Sequence, residues 1–271
     1  MKTFITLLFT FICFLGYSLK PDSVYVSSPE TLGLDFEGHR VETTSGLRLQ
    51  TWVLNPMNEL NLETTIILAY GDAGNMSFWL NQGAILAQNG YTVVLFDYRG
   101  FGKSSAFEMN ENQLYYDEFT EDLKSVYQWA KLNVKHKKIG VWGLSMGTIM
   151  TGFLLDDVEP DFLILEGLVV NPTLIQEKLL AAKGKNILLP KSGNRLNEIY
   201  TKSKVPMLLF SGDQDQFTTA DDANLIAYKN DSRKSVVFKG SHLEGFSTMT
   251  DKYFGDLYVI EIIKFTHSTF K

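Results

Sequence analysis

The length, composition and charge of the chain limit the classes of protein to which it can belong. With 271 residues, 45% of them apolar, the chain suits one large domain with a substantial core. Its formal net charge of −6 gives no basic footprint, which excludes nucleic acid as a partner.

The first 18 residues have the layout of a signal peptide. One basic residue precedes an apolar run over residues 4–15, and Gly16 and Ser18 supply the small residues of a cleavage site. The run is too short to span a bilayer comfortably. We therefore predict a signal peptide over 1–18, a domain over 19–271, and export to the periplasm or the medium. No stable membrane span is expected after cleavage, and retention of the signal would make it an anchor.

The only cysteine, Cys13, lies within the predicted signal peptide. The mature domain would then have no thiol nucleophile, disulfide or cysteine-ligated metal, and we expect no cofactor or metal. A lipid anchor on Cys13 is a disfavoured alternative, because the bulky Ile12 stands where a small residue is expected.

Strand patterns alternate with helix patterns from residue 64 to the end of the chain. Before them, two partly alternating segments, 36–43 and 47–54, flank a turn signal and predict a β-hairpin. Alternating strands and helices predict a mostly parallel sheet with helices on both faces and the functional site at the carboxyl ends of the strands. Buried strands are predicted at 64–70, 91–97, 138–142, 162–170, 205–211 and 235–238, and helices at about 78–89, 115–132, 146–155 and 251–265.

A Gly-x-Ser-x-Gly motif, Gly143 to Gly147, stands between a predicted strand and a predicted helix. In this context the motif predicts a nucleophile elbow, with Ser145 at the tip of a sharp turn. Glycines are needed two residues on either side, where side chains would collide with the neighbouring strand and helix. The motif also occurs by chance in ordinary turns, so the interpretation depends on partners elsewhere in the chain.

A serine hydroxyl needs a base to remove its proton, and His242 is the best placed of the four histidines. It follows the last predicted strand, at the carboxyl end where a base must lie. His39 falls in the hairpin, His136 at the opposite end of the elbow strand, and His267 near the end of the last helix.

Two aspartates after strand 205–211 are candidates for the acid that orients the base. We favour Asp215 over Asp213, because a tight turn led by Gly212 would aim the third residue across the top of the sheet. Asp213 would then cap the turn.

Acyl transfer also needs N–H donors for the developing oxyanion. The backbone N–H groups of Met146, at the start of the elbow helix, and of Asp72, in the loop after the first buried strand, are the candidates. A phosphate-binding loop ending at Ser104 is excluded, because Asp97 stands where that motif requires glycine.

Together these features resemble the α/β-hydrolase superfamily over nearly the whole mature chain. The resemblance implies an α/β-hydrolase fold: a mostly parallel eight-stranded sheet with helices on both faces and a small lid. It also implies a catalytic triad of Ser145, Asp215 and His242. Segments similar to the compact dipeptidyl-aminopeptidase/acylaminoacyl-peptidase-like branch are Leu32-Gly33-Leu34 leading into Thr43-Thr44-Ser45-Gly46-Leu47-Arg48-Leu49, then Gly71-Asp72-Ala73-Gly74-Asn75-Met76, and Asp97-Tyr98-Arg99-Gly100-Phe101-Gly102-Lys103-Ser104.

Two residues depart from the family's pattern. Tyr70 stands where a histidine usually supports the oxyanion loop, and Asp72 stands where asparagine is common. A carboxylate at Asp72 would oppose the developing oxyanion unless it is paired or points away. These departures support one alternative, a non-catalytic hydrolase-like binding protein.

The sequence therefore predicts an exported serine hydrolase that cleaves a carboxylic ester or related acyl bond of a small molecule through an acyl-enzyme on Ser145. Thioesters, amides and peptides stay open as substrates, and the oligomeric state is not predicted. The apolar segment 171–204 is interpreted as a lid over an acyl pocket or, equally, as ordinary helix packing.

Overall fold

The computed structural model of the chain describes residues 19–57, 60–184 and 186–270. The predicted signal peptide, 1–18, lies outside the described residues. Within the described ranges, no helix combines the length and the apolar character that crossing a bilayer requires.

An eight-stranded sheet forms the centre of the molecule, as predicted. Its strand order is β10-β9-β8-β7-β4-β6-β3-β2, and all neighbours are parallel except the pairs β2–β3 and β3–β6. The strands are β1 (Lys20–Pro21), β2 (Phe36–Glu42), β3 (Arg48–Leu54), β4 (Thr64–Ala69), β5 (Ala73–Gly74), β6 (Thr92–Phe96), β7 (Lys138–Leu144), β8 (Phe162–Glu166), β9 (Met207–Gly212) and β10 (Arg233–Phe238). β1 and β5 pair separately from the large sheet.

Helices follow most of the parallel strands and connect them. The α-helices are α1 (Leu80–Gln88), α2 (Tyr116–Asn133), α3 (Met146–Leu154), α4 (Pro172–Lys183), α5 (Leu196–Lys202), α6 (Ala220–Ala227), α7 (Gly245–Thr248) and α8 (Asp256–Thr269). Short 3₁₀ turns lie at Glu30–Leu32, Met76–Trp79 and Lys191–Arg195.

The central strand β7 shows how helices cover both faces of the sheet. Trp142 and Gly143 are successive residues, so their side-chain positions point to opposite faces. The Trp142 indole N–H donates to the Tyr258 hydroxyl of α8 at 3.2 Å. A Cβ on Gly143 would lie 2.7 Å from the Thr151 hydroxyl oxygen of α3. The helices α8 and α3 therefore pack on opposite faces of β7.

Several predicted boundaries move where the backbone turns. β8 ends at Glu166 and not at residue 170, because Gly167 adopts a positive φ of 66°. α8 begins at Asp256 and not at residue 251, since Gly255 has φ 72° and the Asp256 carboxylate accepts N–H groups from the preceding loop. The helix α6 was not predicted, although Thr219 forms a capping box at its start.

The predicted lid segment has two parts with different packing. In α5, Leu196 and Tyr200 are fully buried, and both lie against Gly152 of α3. In α4, Leu174 and Leu180 are exposed. The exposed apolar side chains that a lid would need therefore lie on α4 and at Leu188, and the role of the segment as a lid stays a prediction.

Residues 19–26, here called the N-terminal strap, lie along the loop that follows β4. This β4 loop comprises residues 70–77. The strap pairs in parallel with it through β1 and β5, and the Asn75 side-chain amide donates to the carbonyls of Asp22 at 3.0 Å and Val24 at 2.8 Å. The Val26 N–H donates to the Ser77 hydroxyl at 3.0 Å. The strap therefore fixes the path of the β4 loop.

Candidate active site

Ser145 lies in the sharp turn between β7 and α3. Its backbone has φ 51° and ψ −115°, a conformation that costs a non-glycine residue about 1–3 kcal/mol and persists only where neighbours enforce it. The Ser145 N–H donates to the Glu166 carbonyl at 2.9 Å, and the Ser145 carbonyl accepts the N–H and hydroxyl of Thr148 at 2.9 and 2.7 Å. These bonds hold the turn in place.

The glycines of the motif meet close contacts in the structure. A Cβ on Gly147 would overlap the Ala69 carbonyl oxygen, and a Cβ on Gly143 would lie 3.1 Å from the Gly147 carbonyl oxygen. A Cβ on Gly71 would lie 3.6 Å from the Ser145 Cβ, so the β4 loop passes directly beside the serine. The steric reason predicted for the motif therefore applies to this turn.

Three of the predicted site residues meet in one hydrogen-bonded chain. His242 Nε2 lies 2.8 Å from the Ser145 hydroxyl oxygen, and His242 Nδ1 lies 2.6 Å from Asp215 Oδ2. The structure brings Asp215 to the imidazole and leaves Asp213 apart from it, where its carboxylate accepts the Gly240 N–H at 3.0 Å. The arrangement orients the imidazole to take a proton from Ser145.

The remaining histidines lie away from this chain. His39, on the hairpin, contacts Glu37, and the His136 ring contacts the Val134 carbonyl at the amino end of β7. His267 belongs to the last turn of α8. By contrast, the His242 side chain is 33% exposed, so a substrate can reach it.

The charges around His242 favour its protonated form. Burial lowers the pKa of the imidazole, but the hydrogen bond and charge of Asp215, with the charges of Asp72 and Glu166, outweigh burial and raise that pKa above its usual value. Burial raises the pKa of the Asp215 carboxyl, but the His242 and Thr218 hydrogen bonds hold it well below its usual range. Asp215 is therefore ionised and stabilises the imidazolium that forms when His242 takes a proton.

Sequence reasoning missed Thr218, which holds Asp215 in position. The Thr218 hydroxyl donates to Asp215 Oδ2 at 2.5 Å and lies 3.1 Å from His242 Nδ1. The N–H groups of Phe217 and Thr218 donate to Asp215 Oδ1 at 2.9 and 3.0 Å. An Asp followed by Thr three residues later is typical of such a turn, and this pattern was the available signal.

Tyr70 and Asp97 support the β4 loop from below. The fully buried Tyr70 donates its hydroxyl to Asp97 Oδ1 at 3.3 Å, and the Met76 N–H donates to the same oxygen at 2.8 Å. Asp97 Oδ2 accepts the Tyr25 hydroxyl and, at 3.2 Å, the Lys103 N–H. Burial raises the pKa of Asp97, and these four donors partly offset that effect.

The two predicted oxyanion donors lie on either side of the serine. Met146 is the first residue of α3, so its N–H precedes the intrahelical hydrogen bonds. Asp72 follows Gly71 in the β4 loop, and its carbonyl accepts the Lys20 N–H at 2.8 Å. The Asp72 carboxylate is close enough to raise the pKa of His242. The two N–H groups stay predicted oxyanion donors, while the Asp72 carboxylate adds negative charge near His242.

Among the residues that the structure describes, no group of three or more histidine, cysteine or acidic side chains is arranged to hold a metal ion.

Sequence comparisons relate the chain to hydrolases. Residues 64–162 match the model of the α/β hydrolase fold family. The uncharacterized protein YfhR of Escherichia coli K12 is 26% identical over 277 residues, which cover 97% of this chain and 92% of the relative. The lysophosphatidylserine lipase ABHD12 of Danio rerio is 35% identical over 92 residues, which cover 32% of this chain and 22% of the relative.

Solved structures show the same fold. The Pyrococcus furiosus esterase Pf2001 superposes with a TM-score of 0.73 at 20% identity, over 93% of this chain and 99% of the esterase. A thermophilic esterase from Thermogutta terrifontis superposes with a TM-score of 0.63 at 14% identity, over 87% and 100%. The peptidase-like branch stays a prediction, since none of these matches distinguishes it. The family model over residues 64–162, the eight-stranded sheet and these structural neighbours agree that the chain has the α/β-hydrolase fold.

Proposed function

We propose that the chain is a serine hydrolase that cleaves carboxylic esters of small molecules through an acyl-enzyme on Ser145. The observation that carries the proposal is the chain of contacts from the Ser145 hydroxyl through His242 to Asp215, at 2.8 and 2.6 Å. The esterases among the structural neighbours favour esters over peptides and thioesters, which are the alternatives within the same fold.

The geometry supports a two-step reaction. His242 Nε2 takes the hydroxyl proton as the Ser145 oxygen attacks the substrate carbonyl carbon, and Asp215 stabilises the imidazolium. The imidazolium then gives the proton to the leaving oxygen, so an alcohol departs and the acyl group stays on Ser145. Water attacks this ester with His242 again as base, which releases the acid and restores the serine.

In both steps the carbonyl oxygen becomes negative. The N–H groups of Met146 and Asp72 are proposed to stabilise that charge. The Asp72 carboxylate acts on His242, where its negative charge favours the imidazolium that forms in both steps.

A non-catalytic binding protein is the alternative from another class, and its support was Tyr70 and Asp72. The Tyr70 contact with Asp97 weakens that support, because it gives the β4 loop a buried anchor without the usual histidine. The Ser145–His242 contact has no evident purpose in a protein that only binds.

A fluorophosphonate probe tests the proposal directly. We expect labelling of the intact protein at Ser145 and turnover of p-nitrophenyl acetate, with both lost in Ser145→Ala while its thermal unfolding stays unchanged. A folded wild type that is not labelled would contradict the proposal. A panel of esters, thioesters and peptides with varied acyl length would then identify the substrate class.

Export of the protein without residues 1–18 belongs to the same proposal. Mass spectrometry of secreted material should find an N-terminus at Leu19. Retention of Met1 would instead indicate a membrane-anchored form.

A further inference from the structure

Glu166 is a buried carboxyl that the proposed reaction does not use. It ends β8, pairs in register with Leu144 of β7, and is only 3% exposed. Its backbone carbonyl accepts the Ser145 N–H at 2.9 Å, so the same residue already holds the turn that presents the nucleophile. Burying a carboxyl costs free energy unless its oxygens are hydrogen-bonded.

The Glu166 side chain is hydrogen-bonded to the loop that carries His242. Its Oε1 accepts the Gly245 N–H at 2.8 Å, three residues beyond the histidine. The Tyr258 hydroxyl of α8 also bonds to this carboxyl, while accepting the Trp142 indole N–H at 3.2 Å. One side chain thus links the centre of the sheet, α8 and the histidine loop.

The packing around these bonds leaves little room for movement. A Cβ on Gly245 would lie 2.8 Å from Glu166 Oε1 and 2.6 Å from the Tyr258 ring. A Cβ on Gly167, where φ is 66°, would lie 2.7 Å from His242 Cε1. The imidazole of His242 therefore packs closely against the backbone at Gly167.

The groups that face this carboxyl come from three elements. Tyr258 lies on α8, Asp215 on the loop after β9, and His242 on the loop after β10. Burial raises the pKa of Glu166 to about 7, while the bonds from Gly245 and Tyr258 and the charge of His242 work against burial. The charges of Asp215 and Asp72, like that of Glu166, raise the pKa of His242.

We propose that Glu166 is a positioning residue that ties the Ser145 turn to the His242 loop, and that its negative charge adds to those of Asp215 and Asp72 in setting the pH at which His242 becomes free to act as a base. The proposal rests on the proposed hydrolase function. When Glu166 is ionised it stabilises the imidazolium, so His242 keeps its proton to a higher pH.

Two substitutions separate the effect of the hydrogen bond between Glu166 and the Gly245 N–H from the effect of the Glu166 charge. Glu166→Gln keeps an oxygen that can accept the Gly245 N–H but removes the charge. Glu166→Leu removes both and leaves the Gly245 N–H and the Tyr258 hydroxyl without their acceptor. The matched control is Glu159→Gln, an exposed residue just before the opposite end of β8.

The pH profile of kcat/KM is the first measurement. We expect Glu166→Gln to keep the plateau kcat within about threefold and to move the acidic limb down by about a few tenths of a pH unit. Glu166→Leu should lower kcat by about tenfold or more with a smaller change in KM. Glu159→Gln should match the wild type. An unshifted limb in Glu166→Gln, or wild-type kcat in Glu166→Leu, would overturn the proposal.

NMR titration of the His242 ring protons gives a readout that needs no turnover, with the signal assigned by its loss in His242→Asn. The titration midpoint should fall in Glu166→Gln. If the wild type hydrolyses nothing but this midpoint falls, the proposed function fails and the Glu166–His242 coupling stands. If the wild type is active but the His242 midpoint is unchanged in Glu166→Gln, the Glu166–His242 coupling is wrong and the proposed function stands. Should Glu166→Leu not fold, Glu166→Gln still decides.

Discussion

The two sides of the Ser145 site are built in different ways. On the histidine side, Asp215 is held by Thr218, three residues away along the chain. On the side of the β4 loop, the supporting contacts come from the N-terminal strap, such as Tyr25 with Asp97 at a separation of 72 residues. The orienting acid is fixed by a short turn, whereas the loop proposed to hold the oxyanion is fixed by a distant part of the chain.

This difference predicts unequal responses to substitution. A change on the histidine side should remove the group that orients His242 and stabilises its protonated form, and should reduce the rate by orders of magnitude. A change in the Tyr25–Asp97 contact should only weaken the anchor of the β4 loop. A change of the Asp72 side chain should mainly alter the charge near His242.

The largest effect is expected at the orienting acid. Asp215→Asn should lower kcat by about 10²–10⁴-fold, because the amide no longer stabilises the imidazolium. Asp213→Asn is the matched control, since its carboxylate bonds only the Gly240 N–H among the bonds described, and it should cost less than about tenfold. Steady-state hydrolysis of p-nitrophenyl acetate compares the two. A larger loss in Asp213→Asn would transfer the role to that residue.

A smaller effect is expected when the strap loses its buried anchor. Tyr25→Phe removes one of the four donors to Asp97 and should lower stability by about 1–2 kcal/mol. If the β4 loop supplies an oxyanion donor, kcat should also fall by about three- to tenfold, while KM changes less. Thermal unfolding and steady-state kinetics measure the two effects.

The control for that variant is Tyr228→Phe, which alters a tyrosine whose side chain is 84% exposed. It should leave both stability and kcat unchanged. An unchanged kcat in Tyr25→Phe would mean that the strap does not support the reacting part of the loop.

The smallest effect is expected from removing the negative charge of the Asp72 side chain. Asp72→Asn removes a negative charge that raises the pKa of His242, so that pKa should fall and the acidic limb of the kcat/KM profile should move to lower pH. The plateau rate should change by less than about threefold, because the backbone N–H of residue 72 is kept and no proton-transfer group is removed. A limb that stays in place would show that the carboxylate does not act on His242.

The fold was predictable because its signals are local. Runs such as 66–69 and 162–165 are apolar since both faces of the sheet are covered, and the glycines of the elbow are required by contacts close to the same turn. The positions of Ser145, Asp215 and His242 followed because each comes directly after a strand, and parallel strands end at the same edge of a sheet.

The supporting residues were harder to find because their partners are distant in sequence. Asp97 was noticed as the residue that excludes a phosphate-binding loop and as the start of a family-like segment, and nothing in its neighbourhood points to Tyr25 or Tyr70. Glu166 carried a signal that was not used: it is a lone carboxyl inside an otherwise apolar run, and such a group needs buried partners. Its partners, Gly245 and Tyr258, appear only when the chain is folded.

The N-terminal strap also has a consequence for the order of events in folding. Asn75 bonds Asp22 across 53 residues and Ser77 bonds Val26 across 51, so these contacts close long loops whose entropy must be lost before they contribute. The strap leaves the ribosome before β4 and β6, yet it can be seated only after both have been made. During refolding, hydrolysis should therefore return later than the far-ultraviolet circular dichroism of the sheet and helices.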